Sequence, residues 1–289
     1  MATSPDPSRA YIATRQLGDA TITVISDGEL LWAPRYPVAE PEWRRELPQA
    51  DARGRIWLGL NVVLVRLGDA LVVIDPGCDD PDSAWQQSLA AAWPNEVFAR
   101  SPGLGAALRE LGIDPAAVTH VVITHAHGDH FPGVVTEHDA GFQPRFPHAR
   151  HFIGRGDWTG NPRRGQPGSD LERLEVIDRL GLLDEVDAER EIAPGITIIP
   201  APGETPGHCL VRIVSRGETC YVMGDVIHHR CEVAHRDWMP PGRDEPTLAR
   251  TRERVFAAAD GALVIHAHDP FPAWSRIVAT RDGYQWEPA

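Results

Sequence analysis

The sequence predicts a layered α/β protein in which sheets pack face to face and helices lie outside. Three observations carry that expectation. Short runs rich in Val, Ile and Thr recur in both halves of the chain, at residues 61–66, 70–74 and 118–124, then at 196–200, 210–214, 219–222 and 262–265. Such runs read as strands with buried faces. Helical patterns stand between them and no linker divides the 289 residues, so one domain with two similar halves is expected. Several strands also end in loops crowded with His and Asp, where an α/β protein places a reactive site.

The elements follow in order. Residues 1–14 are rich in Pro and Ser and read as a poorly ordered segment, leaving 15–289 as the domain. Residues 20–26 alternate toward β, with Asp27-Gly28 as a turn. The stretch 32–55 is irregular, contains Pro and Trp, and is expected to lie over the site as a flap. Strands 61–66 and 70–74 are joined by Leu67-Gly68-Asp69, a hairpin signal, and Asp75-Pro76-Gly77 ends the second. A short helix over 104–111, stopped at Gly112, leads into the strand at 118–124, and Phe131-Pro132-Gly133 permits a tight turn. Between 141 and 190 the pattern loosens, with a strand at 150–153 and helical spacing at 171–180. In the second half a helix over 247–259 precedes the strand at 262–265.

Composition removes several function classes. The formal net charge is −13, with acidic residues spread along the chain. That argues against nucleic acid or an anionic membrane surface, both of which need a basic face. No stretch reaches the ~18 to 20 apolar residues of a membrane span. Residues 1–8 lack the basic and apolar regions of a signal peptide, so a cytoplasmic location is expected. The four cysteines (Cys78, Cys209, Cys220 and Cys231) form no C-x-x-C pair and read as free thiols. Cys209 follows His208 directly, so on a strand it points to the other face and fits a small buried hydrophobe.

The densest chemistry lies in His125-Ala126-His127-Gly128-Asp129-His130. Two His two residues apart on an extended segment project to the same side and can reach one ion. Gly128 lets the backbone curve, so Asp129 and His130 turn toward a second point. Imidazole and carboxylate together suit Zn²⁺ best, and also Mn²⁺, Fe²⁺ or Co²⁺. Further candidates follow strand-like segments: His208 in Thr205-Pro206-Gly207-His208, Asp225 after Gly224, and the pair His266 and His268. Any one of these alone is a weak signal.

Taken in order, H-x-H-x-D-H, P-G-H, G-D and a C-terminal His closely resemble the metallo-β-lactamase-fold hydrolase superfamily. The resemblance runs from the strand at 24–28 to His268, with Asp75-Pro76-Gly77 matching an early Asp-x-Gly turn. It implies a four-layer αββα sandwich with a dinuclear metal centre at one edge. His125, His127 and His208 would hold one ion, Asp129, His130 and His268 the other, and Asp225 would bridge them. Asp75 would orient a ligand imidazole by accepting its second N–H. His268 is chosen over His266 because Asp269-Pro270-Phe271-Pro272 resembles a segment of some members; His266 is the competing choice. Asp at 225 differs from the Cys of the zinc β-lactamases, and His at 127 from the Glu of flavodiiron proteins. The length leaves no room for the inserted domain usual in nucleases of this fold. The remaining branch holds acyl-homoserine lactonases and organophosphate hydrolases. Those lactonases often carry a Tyr shortly after the bridging Asp, where this chain has His228 and His229.

The expected activity is hydrolysis of a small ester or lactone. Two ions sharing a carboxylate can share a water and lower its pKa from ~15.7 to near 7. The resulting hydroxide attacks a carbonyl polarised by one ion. Asp129 and Asp225 would act in catalysis as well as in binding, and His228 would protonate or hydrogen-bond the leaving oxygen. The partner is a small molecule, and a homodimer is compatible with the sequence. Trp32, Trp57, Phe131, Trp158 and Trp238 are candidates for an apolar pocket, with Phe131 the first choice. Competing readings are a phosphotriesterase or thioesterase, a mononuclear iron dioxygenase of this fold, and a binding protein that has lost catalysis.

Overall fold

The computed structural model describes residues 10–84, 97–139 and 141–289. Among them, β1 (Ile12–Leu17), β2 (Ala20–Trp32), β3 (Ile56–Leu67), β4 (Ala70–Ile74), β5 (Val97–Arg100), β6 (His120–Ile123), β9 (Arg150–Gly154) and β10 (Leu183–Val186) form one sheet. A small hairpin, β7 (Val135–His138) with β8 (Gly141–Pro144), stands apart. The second sheet runs in sequence order through β11 (Arg190–Ala193), β12 (Ile196–Pro200), β13 (Cys209–Ser215), β14 (Glu218–Val222), β15 (Leu263–Ile265), β16 (Ser275–Thr280) and β17 (Gly283–Pro288).

The β-branched runs explain the layering. Val24, Val63, Ile74 and Val122 from the first sheet meet Ile198, Val211, Val222 and Ile265 from the second in one buried cluster. Alternate residues of the first sheet, among them Ile25, Val62, Val121 and Ile123, turn outward. They meet Leu104 and Leu108 of helix α2 (Gly103–Glu110) and Leu174 and Ile177 of α3 (Glu172–Arg179). The outer face of the second sheet receives Val255 and Phe256 of α5 (Glu245–Ala258). The result is the expected four-layer αββα sandwich. Each fully buried aliphatic side chain contributes about 1.5–3 kcal/mol, against about 0–1 kcal/mol for a surface ion pair. Apolar layering therefore decides the fold.

Three local expectations change. Asp27-Gly28 is not a turn: β2 continues to Trp32, and its register against β3 shifts between Ser26 and Gly28. That bulge turns Asp27 inward, where it accepts the Cys78 amide at 2.9 Å and pairs with Arg100 at 2.9 Å. The first strand begins at Ile12, inside the stretch read as disordered, because it pairs along β2 from Ile12 with Ile25 to Leu17 with Ala20. Residues 1–9 lie outside the described residues. Helix α5 starts at Glu245, ahead of the expected 247, because the Asp244 side chain caps the Thr247 amide. No helix among the described residues is long and apolar enough to cross a membrane.

The topology gathers loops at one edge. Strands β4, β6 and β9 are mutually parallel in register, so the residues that follow them emerge together. In the second sheet β14 and β15 are parallel, and β13 runs against β14. The start of β13 therefore shares an edge with the ends of β14 and β15. Open α/β sheets place their ligands at such strand ends.

Candidate metal centre

The loop after β6 is held by carboxylates on either side. Asp75, just past β4, accepts the Thr124 amide at 2.7 Å, the Thr124 hydroxyl at 2.8 Å and the His130 Nδ1 at 2.9 Å. Its φ of 48° is left-handed, a conformation Asp tolerates better than most residues. The His130 ring is thereby fixed with Nε2 facing inward. On the other side, Asp157 accepts the Ala126 amide at 2.9 Å, the Thr205 hydroxyl at 2.6 Å and the Gly207 amide at 2.8 Å. This one buried carboxylate ties the loop of the first sheet to the turn that carries His208 in the second.

Asp225 sits at the middle of the cluster. Its Oδ2 lies 3.6 Å from His125 Nε2 and 3.2 Å from His268 Nε2, and its Oδ1 lies 3.4 Å from His130 Nε2. His125 Nε2 and His127 Nδ1 point at one another across 2.8 Å. Asp129 approaches His130 and His268 at 3.6 Å each. His208 donates from Nδ1 to the Ala201 carbonyl at 3.0 Å, while its Nε2 accepts the Asp225 amide at 2.9 Å. Gly224 makes that approach possible: a Cβ there would stand 2.7 Å from both His208 Nε2 and Thr124 Oγ1. Two sets of side chains could each hold a cation, one of His125, His127, Glu204 and Asp225, the other of Asp129, His130 and His268.

These residues fit metal ions. His130 Nε2 and Asp225 Oδ1 are buried with no hydrogen-bond partner, an arrangement that costs free energy unless something charged lies between them. Burial and the neighbouring rings of His130 and His127 push His125 well below the ordinary imidazole range, so it is neutral, the form that donates a lone pair. Burial opposes charge on His130 as well, yet Asp225, Asp129 and Asp75 hold its pKa well above the usual value. Imidazoles and carboxylates crowded in this way call for positive charge.

A match to the metallo-beta-lactamase superfamily covers residues 55–271. The chain belongs to that superfamily. The N-acyl homoserine lactonase AttM of Azorhizobium caulinodans is 30% identical over 212 residues, 68% of this chain and 73% of the relative. A probable metallo-hydrolase of Mycobacterium bovis is 25% identical over 229 residues, 73% and 71% of the two chains. Among solved structures, AidC, a dizinc quorum-quenching lactonase in complex with a product, superposes with a TM-score of 0.77 at 21% identity. That match covers 96% of this chain and 97% of AidC.

Of the residues read from the sequence of this metallo-beta-lactamase-fold chain, His125, His127, Asp129, His130, Asp225 and His268 fall in the two candidate sets, whereas His208 stands beside them with its Nε2 on the Asp225 amide, and Glu204 completes the first set in its place. His266 joins neither set: its buried ring faces Asp269 at 3.6 Å, and both its nitrogens lack partners. His228 also reaches the cluster, 3.5 Å from Asp225 Oδ2, whereas His229 turns away and accepts the Cys231 amide at 3.2 Å. Phe131 and Trp158 are buried in the core beneath the first sheet and do not face a pocket. Trp238 packs on Tyr36 in a satellite core, and Trp57 is half-buried with its indole N–H unpartnered. Trp32 alone of the five meets the site, stacked on His228 with ring centroids 5.5 Å apart. The stretch 32–55 is less irregular than expected, since it contains helix α1 (Glu40–Glu46). Cys209 is buried in the inter-sheet core as expected, and the four cysteines are free.

Two site residues escaped the sequence reading. Glu204 places Oε1 3.5 Å from His127 and 3.4 Å from His228. Arg243 pairs with it at 2.6 Å. The available signal was Glu204 four residues before His208 in one turn. Despite burial, His228 and Arg243 hold Glu204 well below the usual carboxylate range. His228 is in turn raised to about 10: burial opposes its charge, and Glu204, Glu232 and Asp225 outweigh that. Arg243 Nη2 also lies 3.2 Å from His228 Nε2, an unfavourable approach to a protonated ring. Glu204 already neutralises that guanidinium, so the carboxylates prevail. Below His228, Glu232 accepts its amide at 3.2 Å and pairs with the fully buried Arg252 of α5.

Proposed function

We propose that the chain hydrolyses a lactone or small ester at a two-metal centre, most simply with zinc. The observation that carries this reading is Asp225, whose two oxygens face both sets of candidate ligands. His125, His127 and, once its Nε2 leaves the Asp225 amide, His208 would hold one ion, with Glu204 within reach of it; Asp129, His130 and His268 would hold the other; Asp225 would bridge. When bound, two divalent ions supply Lewis acidity for a carbonyl oxygen and a lowered water pKa. Water then gives its OH to the acyl carbon and its proton to the leaving oxygen as the acyl C–O bond breaks.

The protein's own residues divide the remaining work. Asp75 orients His130, and Asp157 aligns the loop with the His208 turn. His228, raised by Glu204 and Glu232 beside it, would pass a proton from Nε2 to the leaving oxygen and recover the one the attacking water gives up. The lactonase activity of relatives such as AttM supports a lactone as substrate. A screen of lactones, aryl esters, thioesters and phosphotriesters, run beside metal analysis, tests the reading. Two zinc or manganese ions per chain and turnover of lactones or esters are expected; one iron and no hydrolysis would refute it. His228→Ala should lower kcat about 10²-fold or more while both ions stay bound. Unchanged kcat would remove His228 from the mechanism.

A further inference from the structure

Beside the metal centre lies an open cleft of about 460 Å³ lined by Trp32, Pro34, Arg35, Arg53, Arg55, Pro241 and Arg243, among others. Two of its walls touch the site directly. Trp32 stacks on His228, and Arg243 bonds Glu204 and approaches His228. A molecule whose reacting carbonyl lies at Asp225 can therefore extend into this cleft.

The cleft is rich in one kind of charge. All 28 basic residues of the chain are arginine, and four of them meet here in a protein of net charge −13. Asp51 pairs with Arg55 at 2.8 Å and Glu204 with Arg243, so two of the four are neutralised. Arg35 and Arg53 are exposed, and neither has a side-chain partner among the described residues. Arg35 is also held at φ 51°, a conformation side chains other than glycine rarely adopt. Its neighbour Tyr36 is buried, with its hydroxyl donating to Glu232 at 2.6 Å, and this anchors the strained turn. Strain kept at a cleft wall to present a free guanidinium is a recognition feature, because the planar Arg fork matches carboxylate and phosphate oxygens.

We propose that this cleft binds an anionic group of the substrate, so that the preferred substrates are lactones or esters bearing a second group, a carboxylate or a phosphate. The inference rests on the hydrolase reading above and deepens it. Neutral acyl chains would leave the two free arginines without a counter-charge. The field of the cleft would instead concentrate an anion that the rest of the acidic surface repels.

The test compares p-nitrophenyl butyrate with the p-nitrophenyl esters of glutarate and of 4-(phosphonooxy)butanoate, and γ-carboxy-γ-butyrolactone with its neutral carboxamide. The charged members should show kcat/KM about tenfold or more above the neutral ones, and added salt should shrink that ratio. Whichever of carboxylate and phosphate gives the larger ratio identifies the group. The double variant Arg35→Ala/Arg53→Ala should abolish the preference, and Arg179→Ala, a distant change of charge, should leave it intact. A second readout avoids turnover: benzenesulfonate, a poor metal ligand, should quench tryptophan fluorescence of the metal-loaded protein at lower concentration than methyl phenyl sulfone. In the double variant that difference should vanish. Equal turnover of charged and neutral members, with equal binding of the two probes, overturns the proposal and leaves the hydrolase reading standing. Selective sulfonate binding with no ester or lactone hydrolysed does the reverse.

Discussion

The two halves of the sandwich build their shares of the site differently. In the first sheet one loop does the work: His125, His127, Asp129 and His130 lie within six residues, held by Asp75 and Asp157. In the second sheet each group arrives on its own strand end, His208 before β13, Asp225 after β14 and His268 after β15. The first share is encoded by local backbone geometry. The second is encoded by register, since the pairing of β15 with β14 sets where the turn after Ile265 carries His268. The join between the halves must therefore be rigid. Asp157 and the contact of Gly154 with Gly207 supply that join.

The largest test of the comparison is Asp225→Ala. Because Asp225 faces His125 and His130 of the first half and His268 of the second, its loss should cost ions at both positions and lower activity by about 10³-fold or more. His125→Ala acts on the first half only and should retain an ion at Asp129, His130 and His268. Metal analysis of the two variants separates the cases. Two ions held by the Asp225 variant would break the picture of a bridge.

The seam comes next. A Cβ on Gly154 would stand 1.7 Å from the Gly207 carbonyl oxygen, and both neighbours are backbone that cannot rotate away. Gly154→Ala should destabilise the protein by about 3 kcal/mol or more, read as a lowered Tm by calorimetry. An unchanged Tm would mean that the halves can separate at this point without cost. A smaller effect is expected for Asp75→Ala, which leaves the His130 Nδ1 without its acceptor. Metal affinity, measured by competition with a chelator, should fall about 10–100-fold. If affinity holds, the packing of the loop alone orients that ring.

The same contrast explains what the sequence could disclose. The loop from His125 to His130 was legible because its ligands are neighbours in the chain. His208, Asp225 and His268 became legible only in combination, through a resemblance in their order. Glu204 and Arg243 were not legible: they meet through tertiary packing of the β12–β13 connection against the segment after α4 (Cys231–Ala234). Phe131 misled for the converse reason. It follows the metal loop directly, but the turn through Pro132 to Val134 sends its ring into the core. The cleft is walled by 32–35 and 53–55, within the stretch expected to lie over the site, and Asp157 and Arg163, which donates to the Ala126 carbonyl at 2.8 Å, brace the metal loop from the segment whose pattern was loosest.

The mildest test sets two fully buried histidines of the first half against each other. His130 is surrounded by carboxylates and its pKa is raised. His151, on β9, has an apolar setting: Nδ1 donates to the Ala149 carbonyl at 3.1 Å, Nε2 has no partner, and burial lowers its pKa to about 4. The unfolded chain takes up this proton near pH 6.5, whereas the folded protein resists until about pH 4. Between those values the unfolded state binds more protons, so stability falls as the pH falls. The full shift amounts to about 3 kcal/mol. His229, also lowered to about 4 by burial, adds in the same direction. Urea unfolding at pH 7 and pH 5 should therefore show a loss of stability that is smaller in His151→Leu than in the parent. An equal loss in both would mean that Nε2 finds water or a partner when it protonates. The first sheet would then tolerate a charge in its core as readily as it does at its edge.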